Sequence, residues 1–180
     1  SRFGVPVPRG RICDNGKDAC RIAERLGFAR FVVKAQVQAG DRMAAGGVRF
    51  SVSPSGVQAT VEDLLGTPFT RAGGPVGGER VRWVLVEEAL APMQLVYAAV
   101  YLDPVNARLQ LMASPVGGEA IERRIAADPG LLKCVPLTLA DRTAEGAFDG
   151  LDRSAGFSGE VAKSLSEVFS NIAKMAAQLD

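Results

Sequence analysis

The stretch FVVKAQVQAGDRMAAGGV, Phe31 to Val48, constrains the fold more than any other, because a buried apolar strand carries a single lysine and runs directly into a glycine-rich loop. Phe31, Val32 and Val33 read as a short central strand. Lys34 places an ammonium at its end, and Gly40, Gly46 and Gly47 supply a backbone that can close over a phosphate. That order is the chemistry of a nucleotide site. Taken alone, Lys34 reads more readily as a strand-end surface lysine than as a phosphate contact, and Arg42 reads equally well as a solvated side chain.

The surrounding sequence supplies two lobes. In the first, residues 11–13 read as a strand and Asp14 as the cap of a helix whose Ala19, Ile22, Ala23 and Leu26 share one apolar face. Past the glycine loop, residues 48–52 read as a strand, and Ser53-Pro54 opens a helix with Val57, Val61, Leu64 and Leu65 inward. The run GGPVGG, residues 73–78, reads as a hairpin connection before a strand over 82–88. A crossing at Ala91-Pro92 leads into the second lobe. There, residues 94–102 and 108–113 read as an antiparallel hairpin around Asp103-Pro104-Val105-Asn106. A short helix over 120–127, an irregular strand over 131–137 and a polar loop over 138–158 follow. Ser158 then caps a long helix with Val161, Leu165, Val168, Phe169, Ile172, Met175 and Leu179 on one stripe, read as core. The expected class is α/β (α+β), with one lobe over residues 9–91 and the other over 1–8 and 92–180.

Composition narrows the function. A chain of 180 residues with 47% hydrophobic content can hide about 70% of its unfolded surface. The net charge of +1 gives no reason to expect nucleic acid or an anionic membrane as partner. The longest apolar runs fall well short of the roughly 20 residues a membrane span needs, and no secretory signal precedes the first strand, so a cytoplasmic protein is expected. Cys13, Cys20 and Cys134 are odd in number and lack metal spacing; they read as reduced thiols buried for packing. The absence of histidine rules out a Ser-His-Asp triad, a Cys-His pair or a histidine–zinc site within this chain.

Four motifs carry a family resemblance. FGVPVPRG from Phe3 to Gly10, the lysine–glycine stretch, VLVEEAL from Val84 to Leu90, and ASPVGGEAIE from Ala113 to Glu122 stand in the order and spacing of the β subunit of succinyl-CoA synthetase and related NDP-forming acyl-CoA ligases. The glycine stretch is similar to that family's V-V-K-x-Q-V-x-A-G-G-R-G-K-A-G-G-V at Val32, Val33, Lys34, Gln36, Val37, Ala39, Gly40, Arg42, Ala45, Gly46, Gly47 and Val48. The resemblance covers nearly the whole chain and implies an ATP-grasp fold of two lobes with a nucleotide cleft between them, its C-terminal part incomplete. It implies nucleotide contacts at Lys34, Gly40, Arg42, Gly46, Gly47 and Glu87, with Glu87 near the adenine. It also implies ATP or GTP with Mg²⁺ as cofactor, an α subunit as partner that carries the phosphorylated histidine, and succinate or malate as acid.

The resemblance assigns no catalytic residue and no metal ligand to this chain. The family's metal ligands lie on an E-x-N-P strand and a later aspartate without counterpart here, and its first helix precedes the position of Ser1. The chain is expected to be a fragment of a longer protein, inactive by itself. Departures fall on the loop and its surroundings: Asp41, Met43 and Ala44 stand where the family has glycine, glycine and lysine, Leu95 where it has a glutamate, and Val116 where it has another. Two function classes follow. One is the nucleotide-binding part of a CoA ligase; the other is a degenerate ATP-grasp scaffold that binds a partner, or nucleotide without turnover.

Overall fold

The computed structural model describes residues 2–39, 42–92, 94–106, 108–118, 121–136 and 156–179. The chain divides into two compact units, Pro8–Ala91 and Ser1–Val7 with Pro92–Asp180.

In Pro8–Ala91, strands β1 (Gly10–Cys13), β2 (Phe31–Ala35), β3 (Val48–Ser51) and β4 (Val84–Glu88) form one antiparallel sheet in the order β1-β4-β2-β3. The two-residue period of a strand sends Phe31, Val33 and Ala35 to the same face as Cys13, Val84 and Val86. All six are buried, packed with Ala19 and Ala23 of helix α1 (Gly16–Leu26) and Val57, Val61 and Leu64 of helix α2 (Pro54–Gly66). Each fully buried valine or leucine there contributes about 1.5–3 kcal/mol, so this layer is the main source of the unit's stability.

Helix α1 is capped by Asn15, not by Asp14 as the sequence suggested. Asn15 has extended backbone immediately before the first helical residue, and its Oδ1 accepts the Asp18 N–H at 2.9 Å, satisfying a donor the helix leaves orphaned. The Asp14 carboxylate instead accepts from Asn15 Nδ2 at 2.9 Å. Helix α2 begins as expected, with Ser53 Oγ accepting the Gly56 N–H at 3.1 Å and Pro54 in its first turn. The segment over 73–78 is closed by a bridge in which Phe69 and Glu79 exchange backbone hydrogen bonds of 2.8 Å.

In the other unit, β5 (Tyr97–Asp103), β6 (Arg108–Ser114) and β7 (Lys133–Pro136) form a second antiparallel sheet in that order, with helices α3 (Ile121–Ala127) and α4 (Gly159–Leu179). Leu111 and Ala113 of β6 pack with Phe157 and with Ala162, Phe169 and Ala173 of α4. The apolar stripe of α4 includes Leu165, Phe169 and Ile172, as expected, but Val161 is not part of it. It lies about 100° around the helix from buried Ala162 and is 53% exposed. The side chain of Leu179 and most of the expected loop over 138–158 lie outside the described residues.

The cysteines are also not uniformly buried. Cys13 is, and burial pushes its thiol up to about 11. Cys20 is half-buried. Cys134 is exposed, because on short β7 it is Val135, opposite Leu111, that packs into the core. Among the described residues, no helix is long and apolar enough to cross a membrane.

Buried Asp103 organises the turn between β5 and β6. Its Oδ1 accepts the Val105 and Asn106 N–H groups at 3.0 and 3.2 Å, and its Oδ2 accepts from Asn106 Nδ2 at 2.7 Å and Gln110 Nε2 at 3.0 Å. The Asn106 side chain, foremost among these donors, holds the carboxyl below its ordinary value of 3.8. A carboxyl depressed on folding stabilises fully above its unfolded pKa, and that contribution is lost as pH falls through the folded value. Asp103→Asn is accordingly expected to lower the Tm at neutral pH, with the difference from wild type narrowing below about pH 4. Melting curves across that range are the check; a gap independent of pH would mean the ionised carboxylate is not what holds the turn.

Candidate functional site

The alternation that buries Phe31, Val33 and Ala35 leaves Val32 and Lys34 on the other face of the sheet. In the β2–β4 register Lys34 lies opposite Leu85 and Val32 opposite Glu87, so Lys34 and Glu87 are diagonal neighbours within reach of long side chains. Lys34 Nζ and Glu87 Oε1 form an ion pair. The carboxylate is buried, at 7% exposure, whereas the lysine side chain is 33% exposed. Opposite Glu87 in β1 stands Gly10, where a Cβ would lie 2.6 Å from that of Glu87; the bare backbone makes room for the carboxylate. A buried anion thus fixes the ammonium while part of the lysine stays accessible. With three donors on the ammonium, this arrangement can receive a second anionic group. Ile12 and Phe50, opposite Leu85 and Val32 in their registers, are 58% and 54% exposed and give the same sheet face an apolar surface beside the charge.

The glycine turn begins immediately beyond Lys34. Ala35 N–H donates to the Gly47 carbonyl at 2.7 Å, Gly47 N–H to the Arg42 carbonyl at 2.7 Å, and Gly46 N–H to the Met43 carbonyl at 3.0 Å, with Gly46 at φ 75°. Arg42 does not extend freely from the turn: its Nη1 donates to the Ala35 carbonyl at 2.8 Å, tying the start of the turn to the end of β2. Gly47 is buried, and a Cβ there would stand 2.7 Å from Cε2 of Phe69. Met43 and Ala44 are exposed at the tip. Gly40 and Asp41 lie outside the described residues.

Of the residues singled out from sequence, the structure therefore brings Lys34 and Glu87 into one pair, and Arg42, Gly46 and Gly47 into one closed turn. Three supports were missed. Phe69 floors the turn, and Arg49 donates from Nε to the Gly46 carbonyl at 3.0 Å while pairing with Asp63 of α2. Only antiparallel pairing of β2 with β3, with α2 packed behind, reveals those contacts. Gly47→Ala should cost about 1–3 kcal/mol by forcing the buried Phe69 ring aside, read from urea unfolding. An unchanged midpoint would show that the ring does not brace the turn.

A cavity of about 600 Å³ opens past the ends of β2 and β4, lined by Gln36, Val37, Gln38, Glu79, Arg80, Arg82 and Trp83. Gln36 and Val37 of the glycine motif line it, but none of the expected nucleotide contacts does. Among the described residues, no group of three or more cysteine, aspartate or glutamate side chains could hold a metal ion.

A family model described as an ATP-grasp domain matches residues 1–180. The β subunit of the ADP-forming succinate–CoA ligase of Hamiltonella defensa subsp. Acyrthosiphon pisum (strain 5AT) is 32% identical over 182 residues, covering 100% of this chain and 46% of the relative. The chain thus spans about half the length of that relative. Among solved structures, PH1788 of Pyrococcus horikoshii Ot3 superposes with a TM-score of 0.70 at 18% identity, covering 98% of this chain and 73% of that one. The dinucleotide-forming acetyl-coenzyme A synthetase 1 of Ca. Korarchaeum cryptofilum gives 0.67 at 16%, covering 98% and 76%. At those identities the structures speak for the fold alone. With the whole chain matched by the family model and its motifs in order, the chain belongs to the ATP-grasp domain family and is similar along its length to the β subunits of ADP-forming succinate–CoA ligases.

Proposed function

We propose that this chain is the nucleotide-binding portion of the β subunit of an NDP-forming succinate– or malate–CoA ligase. The observation that carries the reading is the Lys34–Glu87 pair, set on an open sheet face directly before a closed glycine turn. In this reading Lys34 and the backbone of Gly40 stabilise phosphoryl charge, while Gly46 and Gly47, whose N–H groups donate to the Met43 and Arg42 carbonyls, fix the form of the turn. Glu87 holds the ammonium and lies toward the base, and Arg42 shapes the turn through the Ala35 carbonyl. Pro8–Ala91 is then the small ATP-grasp lobe. The nucleotide is ATP or GTP, and the phosphoryl group passes to a histidine on a partner α subunit, as the family resemblance implies. The proposed setting is cytoplasmic. Family chemistry implies Mg²⁺, but the described residues do not supply a ligand set for it, and no step is drawn through it.

Calorimetric titration with ADP and ATP, with and without Mg²⁺, tests the reading: saturable one-site binding is expected, and absence of binding overturns it. A second reading, a degenerate scaffold that binds a partner, draws support from the internal engagement of Arg42 and from the exposed Ala44 and Leu95 at positions where the resemblance implies charged contacts. It predicts no nucleotide heat, or binding with no turnover even when the full β subunit and an α subunit are supplied with CoA and acid.

A further inference from the structure

We propose that Arg49 is the positioning residue of the glycine turn, holding the Gly46 carbonyl through its Nε while Asp63 of α2 fixes its guanidinium. The inference rests on the nucleotide reading above, because it assigns the turn a shape that a phosphate would meet.

Arg49 stands on β3 opposite Val33, so it shares the face of the sheet on which α2 packs. From there Nε reaches the Gly46 carbonyl at 3.0 Å and Nη1 reaches the Asp63 carboxylate. The planar guanidinium places these donors at a fixed angle to each other. One end of the bridge is the helix, seated by buried Val57, Val61 and Leu64; the other is the glycine with the left-handed backbone. Drawing the Gly46 carbonyl toward Arg49 orients the peptide joining Gly46 to Gly47, and so the direction of the Gly47 amide. The first half of the turn is held independently by Arg42 on the Ala35 carbonyl. Arg49 and Asp63 are 41% and 55% exposed, so their ion pair contributes little to global stability. Its effect is local, on where the turn sits.

Three variants separate positioning from folding. Arg49→Lys keeps a cation for Asp63, but one ammonium cannot reproduce the two-armed geometry. Arg49→Asp combined with Asp63→Arg restores an ion pair between the same positions and removes the donor to Gly46. Arg49→Ala removes both contacts. All three are expected to melt within a few degrees of wild type. Amide exchange at Gly46 and Gly47 should quicken about tenfold in each, and ADP affinity by calorimetry should fall about tenfold. The charge-swapped pair is decisive: exchange and affinity at wild-type levels in it would show that the ion pair alone matters and overturn the positioning role. Unchanged exchange in Arg49→Ala would overturn it as well. If the unmodified chain binds no ADP, the nucleotide reading fails, and amide exchange still decides whether Arg49 sets the turn.

Discussion

Lys34→Met is expected to weaken ADP binding about tenfold or more, because a charge-assisted hydrogen bond to phosphate contributes roughly 1.5–3 kcal/mol. It should also destabilise the fold, since Glu87 is left buried without its cation. Removing one partner of a fully buried pair costs about 3–5 kcal/mol. With the lysine one-third exposed, solvent screening reduces that to about 1–3 kcal/mol. Calorimetry and urea unfolding read the two effects separately. Adding Glu87→Gln to Lys34→Met should recover much of the stability and none of the affinity. Wild-type affinity in Lys34→Met would remove this lysine from the nucleotide site.

Phe31→Ala should have the largest effect on stability, about 3–5 kcal/mol. Phe31 is 1% exposed on the helix-facing side of β2, with its ring centroid 5.8 Å from that of Phe28. Its side chain points away from the face that carries Lys34, so the fraction that remains folded should bind ADP within about twofold of wild type. Denaturant titration gives the first number, and calorimetry at low temperature the second. A large affinity loss in folded protein would mean that the two faces of β2 are not independent.

Much of this arrangement was legible because strand alternation and helix caps are local. The apolar positions of β2 and the Ser53-Pro54 start of α2 follow from residues a few positions apart. The shift of the α1 cap from Asp14 to Asn15 shows the limit, since both side chains can cap and only the backbone decides which one does. Val161 was misjudged because a helical stripe read from sequence has no marker for the partner it faces; buried Ala162, Phe169 and Ala173 supply that marker. The site was legible as residues but not as contacts. Lys34 and Glu87 are separated by more than fifty positions, and their pairing depends on the β2–β4 register. Phe69, Arg49 and Asp63 carry no motif, so their hold on the turn emerges only with the fold.

The turn between β2 and β3 keeps its form at its stem and its chemistry at its tip. Hydrogen bonds at Ala35, Arg42, Gly46 and Gly47, with the Phe69 ring beneath, involve no side chain of Met43 or Ala44, both of which face solvent. Drift at the tip therefore changes what the turn offers a ligand without unlatching the hairpin that presents it. A lineage can lose a charged contact there, or regain one by a single substitution, along a path that never passes through an unfolded ancestor.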